Sequence, residues 1–162
     1  MLRLSLALLS LLLCTGCRSL FVRPEELTGG LNTPAAELDP AYSGDGRYLA
    51  FASDREGRLD IYLFDLQARR LVPLPNLNRR NSAQEQPALS NDGRYIAYVS
   101  SERGKPDVLV YDRQTQRSEL WTANVRGSAR RPTISGDGRR VAFQTAQSGQ
   151  WNIATVERDV NP

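Results

Sequence analysis

The chain has 162 residues, 40% of them apolar and 24% charged, with a formal net charge of +3. Those are the proportions of an ordinary globular protein, not of a disordered or multi-span membrane chain. It contains no histidine, which excludes Ser-His-Asp and Cys-His catalysis and removes the commonest zinc ligand.

Met1, Leu2 and Arg3 give the chain a positive start, followed by the uncharged run "LSLALLSLLL" at residues 4–13. That run is too short to span a bilayer as a helix, which takes about 20 residues, but it suits the apolar part of a secretory signal peptide. The next tetrapeptide, Cys14-Thr15-Gly16-Cys17, resembles the lipobox of bacterial lipoproteins. The resemblance implies a signal peptide over residues 1–16 and lipidation of Cys17. Several acyl chains would anchor the protein to a membrane without crossing it. Cys14 leaves with the signal, so the remaining domain has neither a free thiol nor a disulfide. Arg18 occupies the place where Asp is associated with inner-membrane retention, which implies the outer membrane, on the periplasmic side of the envelope. Residues 17–38 read as the lipidated N-terminus and a tether, within which "LFVRPEEL" (residues 20–27) is a candidate blade-closing strand.

From there the chain repeats itself. Asp45, Asp92 and Asp137 lie 47 and 45 residues apart, each followed by Gly and Arg (Gly46, Gly93 and Gly138 among them). Pro40, Pro87 and Pro132 keep the same step, as do Ser43, Ser90 and Ser135, and Asp60, Asp107 and Asn152. A fixed period of this length signals stacked repeats, with boundaries at residues 39–83, 84–128 and 129–158 and a tail at 159–162.

Each repeat opens with a short first strand, "PAYS", "PALS" or "PTIS", with proline expected at its start where a missing ladder donor does least harm. The Asp-Gly turn that follows forms a hairpin, because glycine accepts positive φ and Asp bonds its own following backbone. Second strands ("RYLAFAS", "RYIAYVS", "RRVAFQT") and third strands ("DIYLFD", "DVLVYD", "NIATVE") are apolar at nearly every position, the pattern of strands buried on both faces. Weaker fourth strands fit "RRLVPL" and "RSELWT". Four strands in about 45 residues make one propeller blade. The fold class is therefore all-β, with three four-stranded β-propeller blades.

The stretch "SGDGRYLAFASDREGRLDIYLFD" resembles the β-propeller repeat of TolB-family proteins, and the likeness extends from Asp39 to about Arg158. Family members commonly carry Pro where this chain has Gly44, Asn91 and Gly136. The resemblance implies an envelope protein. Full family members have an N-terminal α/β domain and six blades, and act in the Tol-Pal system, binding a peptidoglycan-associated lipoprotein. Only about twenty residues separate Cys17 from the first repeat, so that domain is not carried over to the expectation, and a truncated family member would also show three repeats.

Propellers typically close with four to eight blades. Two chains would supply six, each N-terminal strand completing the last blade of its partner, so a homodimer is the favoured expectation. A tight three-blade ring and an open arc are the alternatives, the arc exposing two apolar sheet faces that mark an interaction surface.

Function is expected to be recognition. No nucleophile elbow appears, no EF-hand spacing is present, and no cofactor, metal or nucleic-acid partner is expected. Turns between second and third strands carry Arg55, Arg58, Arg103 and Lys105, and links between repeats carry Arg79, Arg80, Arg126, Arg130 and Arg131. Acids on the same rim are fewer, chiefly Asp54, Glu56, Glu85 and Glu102. Such a basic rim would attract an acidic envelope protein or an anionic envelope polymer, through forces that weaken with salt; a merely solvated rim is the competing reading. Trp121 reads as packing, whereas Trp151 is expected at the rim. The alternative class is a carbohydrate-binding or carbohydrate-active protein using Trp151 and rim carboxylates, with Asp54 and Glu56 the nearest local pair.

Overall fold

The computed structural model describes residues 30–147 and 149–158. The signal peptide, Cys17 and the candidate strand at residues 20–27 lie outside the described residues. Eleven strands follow in chain order: β1 (Glu37–Tyr42), β2 (Tyr48–Ser53), β3 (Asp60–Asp65), β4 (Arg70–Val72), β5 (Gln84–Leu89), β6 (Tyr95–Ser100), β7 (Asp107–Asp112), β8 (Arg117–Leu120), β9 (Ala129–Ile134), β10 (Arg140–Thr145) and β11 (Asn152–Glu157). They form three antiparallel meanders, β1-β2-β3-β4, β5-β6-β7-β8 and β9-β10-β11. The blades foreseen from the period are therefore present, the third with three strands among the described residues.

The repeated Ser-x-Asp-Gly phrase is explained by one turn built three times. Ser43 Oγ donates to Asp45 Oδ1 (2.5 Å) and accepts the Tyr48 N–H (2.9 Å), while Asp45 Oδ1 also accepts the Arg47 N–H (2.9 Å). Ser90 and Asp92, then Ser135 and Asp137, repeat those bonds. A serine in this position satisfies backbone donors that the tight turn would otherwise leave unpaired. The three aspartates are structural turn residues, and their carboxyls are held below the usual range. For Asp45 and Asp137 the serine hydroxyl is the main cause. At Asp92 burial opposes the shift, but the Arg94 N–H and Ser90 outweigh it.

The prolines depart from expectation. Pro40, Pro87 and Pro132 lie inside β1, β5 and β9, not at their starts. At each, two residues face one: Asp39 and Pro40 oppose Phe51, Gln86 and Pro87 oppose Tyr98, and Arg131 and Pro132 oppose Phe143. The residue before each proline has positive φ, +50° at Asp39, +55° at Gln86 and +51° at Arg131. A bulge leaves its extra residue outside the ladder, so the absent proline N–H breaks no bond.

Because strand side chains alternate, β2 and β3 present Ala50, Ala52, Ile61 and Leu63 to the second blade, where they meet Leu89, Ile96, Tyr98 and Tyr111. In the same way Ala97, Val99, Val108 and Val110 meet Ala129, Val141 and Phe143 of the third. Backbone bonds cross the gaps: Asp45 N–H to Asn91 O (2.9 Å), Asn91 N–H to Gly136 O (2.9 Å), Gln84 N–H to Leu59 O (2.8 Å) and Ala129 N–H to Pro106 O (2.8 Å). A repeated cation–π contact joins them, with Arg113 over the Tyr48 ring (4.4 Å) and Arg158 over the Tyr95 ring (5.6 Å).

The two outer faces differ from the expected apolar pair. On the first blade, Leu49, Phe51 and Phe64 are buried and pack with Leu31. On the third, the positions equivalent to Ala52 and Leu63 are Gln144 and Thr155, and Ile153 is 71% exposed. The double burial expected of every second and third strand thus holds for β2, β3, β6 and β7. It fails for β10, which is buried on one face only, and for β11, whose residues are exposed or half-buried.

Candidate binding rim

The rim opposite the Asp-Gly turns is formed by the loops at residues 54–59 and 101–106 and by the links at 73–83 and 121–128. Its cations divide into engaged and unengaged groups. Arg55 is the most engaged. Its guanidinium donates to Gly30 O (2.8 Å), Leu31 O (2.8 Å) and Glu37 Oε1 (3.0 Å), and lies over the rings of Tyr62 (4.4 Å) and Phe51 (5.3 Å). With 15% of its side chain exposed, it seals the first blade. Arg58 pairs with Asp60 (2.8 Å), whose buried carboxyl is pushed up by loss of solvent despite the arginine. Lys105 pairs with Asp107.

Arg130 and Arg131, expected in a link, belong to β9 instead, because the first strand begins before its proline. The Arg130 guanidinium stacks on the Trp151 ring at 3.5 Å, and Trp151 remains 45% exposed just ahead of β11. The Arg131 N–H donates to Gln86 Oε1 (2.6 Å). Trp121 packs against the interface between the second and third blades, as read from the sequence.

Arg79, Arg80, Arg103 and Arg126 are exposed, and no side-chain hydrogen bond or ion pair engages them among the described residues. Two of these, Arg79 and Arg103, line one cleft of about 460 Å³ together with Glu102. Leu109, Leu120 and Ser118 line the cleft from the second blade, and Ser100 and Asp107 complete its wall. Asp107 is 1% exposed. Its Oδ1 is held by Lys105 and by the Thr122 hydroxyl (2.9 Å), whereas Oδ2 has no hydrogen-bond partner among the described residues. The Tyr98 hydroxyl donates to Ser118 Oγ (2.9 Å), and burial raises the phenol above its usual pKa.

The sequence places Arg79, Arg103 and Glu102 on this rim but gives no sign of a cleft, nor of Asp107 and the two leucines as parts of it. Asp107 was legible as a repeated residue at a strand start, and Leu109 as part of an apolar strand. Nothing in the linear pattern shows that β7 and β8 bring them opposite Arg79. Of the carboxylates considered for carbohydrate chemistry, Asp54 Oδ1 accepts the Ala36 N–H (2.9 Å) and Glu56 is exposed. Among the described residues, no group of three or more His, Cys, Asp or Glu side chains is placed to hold a metal ion.

On the opposite rim a second cleft, of about 330 Å³, is lined in part by Arg94, Tyr95, Arg139 and Arg158. Most of its charge is spent internally. Arg94 forms a two-pronged pair with Asp112 (3.0 and 2.8 Å), and Arg158 bonds both oxygens of Glu119 (2.9 Å each).

No protein-family model matches the sequence, and no curated protein matches it. Solved structures do share the fold. TolB from Acinetobacter baumannii is 24% identical with a TM-score of 0.60, over 76% of this chain and 30% of that one. A TolB-assigned structure from Agrobacterium tumefaciens is 20% identical with a TM-score of 0.63, over 81% of this chain and 48% of that one. An oligogalacturonate lyase in complex with manganese is 13% identical with a TM-score of 0.59, over 80% of this chain and 37% of that one. The chain thus spans less than half the length of each of these neighbours. The likeness establishes a TolB-like propeller fold, a fold that binding proteins and enzymes both use.

Proposed function

We propose that this chain is a non-catalytic binding scaffold of the bacterial cell envelope, held on the periplasmic side by lipid on Cys17, its outer-membrane placement favoured by Arg18. The observation that carries the binding role is the cleft lined both by the unpaired Arg79 and Arg103 and by an apolar wall. Unpaired, solvated arginines at a concave site retain the donors needed for a carboxylate or phosphate. Likeness to two TolB structures supports the envelope setting and a role related to Tol-Pal-like envelope integrity. The partner would be an acidic envelope protein or an anionic envelope polymer.

Two measurements test this reading. Metabolic labelling of cells with an alkyne fatty acid should mark the wild-type chain in the membrane fraction, and Cys17→Ala should abolish the label. Unlabelled wild-type protein would refute the anchor. Incubating the purified full chain with polygalacturonate should release no fragments; turnover would refute the non-catalytic reading and restore the carbohydrate alternative.

A further inference from the structure

We propose that the Arg79–Arg103 cleft takes an acidic peptide segment, one carboxylate flanked by aliphatic side chains. This deepens the scaffold reading and rests on it. The cleft has two cations with no partner, Arg79 and Arg103, against one unpaired acid at its mouth, Glu102. The balance favours one incoming negative charge. It disfavours many, because Glu102 repels a second anion placed close behind the first. A polymer with an anion on every unit meets that repulsion. A peptide with a single carboxylate does not.

The apolar wall points the same way. Leu109 and Leu120 lie side by side across the β7–β8 ladder and both line the cleft. They would bury an aliphatic side chain, which a saccharide or phosphate polymer lacks. A volume of about 460 Å³ accommodates a few residues and not a folded domain. Ser118 lines the same space, and its hydroxyl, which accepts from Tyr98, keeps its own proton for a peptide carbonyl. The carboxylate would sit between the two guanidiniums, with the neighbouring side chain on the leucines.

The test uses the full chain in detergent and the hexapeptide Gly-Leu-Asp-Leu-Leu-Gly, amidated at its C-terminus and labelled at its N-terminus with an uncharged fluorophore so that Asp is its one carboxylate, read by fluorescence anisotropy. Saturable binding is expected that weakens with salt, and the Asn counterpart of the peptide should bind about tenfold more weakly, since hydrogen bonds to charged groups carry roughly that ratio. Arg79→Gln and Arg103→Gln should each weaken binding by a similar factor, while Arg126→Gln, on the other link, should not. Both cleft variants remove exposed side chains, and thermal melts should match wild type. Equal binding of the Asp and Asn peptides, or binding indifferent to both arginine variants, would overturn the proposal. So would tighter, Arg79- and Arg103-dependent binding of polygalacturonate, which would leave the scaffold reading standing with a polymer as its ligand. Fragment release from that polymer would instead sink the scaffold reading itself.

Discussion

The ring of Tyr48 lies against Gly93 of the next blade, so closely that a Cβ on the glycine would come within 2.6 Å of the Tyr48 Cδ2. Gly93 also has φ of +67°. The glycine therefore serves both its own turn and the seat of the preceding blade's ring. Gly46 has the same positive φ, +70°, with nothing within 4 Å of its Cβ position. Alanine at Gly46 should cost only the backbone strain, about 1 kcal/mol. Alanine at Gly93 adds displacement of Tyr48 and of the Arg113 guanidinium stacked on it, a total of about 2–4 kcal/mol. Urea unfolding of the two variants distinguishes the roles, and equal losses would show that the ring moves aside freely.

A second contrast separates the arginines that the sequence grouped together. Arg55 donates to four oxygens, of Gly30, Leu31, Glu37 and Ser53, and covers two rings, whereas Arg103 is exposed without a partner. Arg55→Ala should lower unfolding free energy by about 2–3 kcal/mol, through lost charge-assisted bonds and opened packing, and leave peptide binding unchanged at temperatures below the melt. Arg103→Ala should do the reverse. Paired melting and binding curves for both variants check the assignment, and a stability loss at Arg103 would contradict it.

The fold was legible in the sequence to the extent that its signals were local and repeated. Ser43, Asp45 and Gly46 carry their turn within a few residues, so the period exposed all three blades. The bulges were not legible, because whether Pro40 starts a strand or sits within one depends on the ladder across from it at Phe51. The rim was legible only as composition. Arg55 and Arg103 share a loop type, but Arg55 meets Leu31 and Glu37, which lie ahead of the first repeat, while Arg103 has no such neighbour. Likewise the cross-blade stack of Arg113 on Tyr48 joins residues with unrelated roles in their own repeats.

The carboxyl shifts set a pH dependence. Asp45, Asp65, Asp92, Asp112 and Asp137 all lie below their ordinary value of 3.8 in the folded protein. Asp65 is lowered by the Ala68 N–H and by Arg47, and Asp112 chiefly by Arg94. A carboxyl depressed on folding contributes its full stabilisation above the unfolded value and loses it as pH falls through the folded one. Asp60 is raised and acts in the opposite sense, one group against five. The urea midpoint should hold near neutral pH and fall between about pH 4 and about pH 2. Asp112→Asn should be less stable at neutral pH and show a shallower acid loss, since the charge that Arg94 favours is already gone. An acid limb identical to wild type would remove Asp112 from the account.

The end faces make a prediction about assembly. Closing six blades from two chains requires the third blade of each copy to stack on the first blade of the other. The first blade's outer face already packs Leu49, Phe51 and Phe64 with Leu31, and Arg55 holds the Leu31 carbonyl in place. The third blade offers Gln144 and Thr155 where the inner interfaces have Ala52 or Val99 and Leu63 or Val110. It also offers Arg140 where the inner blades present Tyr48 or Tyr95 to a following arginine, and the partner's equivalent of that arginine would be Leu66. Burying an unpaired amide and a guanidinium in such an interface costs more than the exposed Ile153 returns. Polar outer faces are the usual ends of stacked repeats. Light scattering behind a sizing column, corrected for detergent, should therefore give the mass of one chain. Replacing Gln144 by Val and Thr155 by Leu should shift that mass toward two if the polar positions are what prevents closure. A wild-type mass of two would instead mean that the six-blade ring forms, with Leu31 displaced from the first blade by its partner.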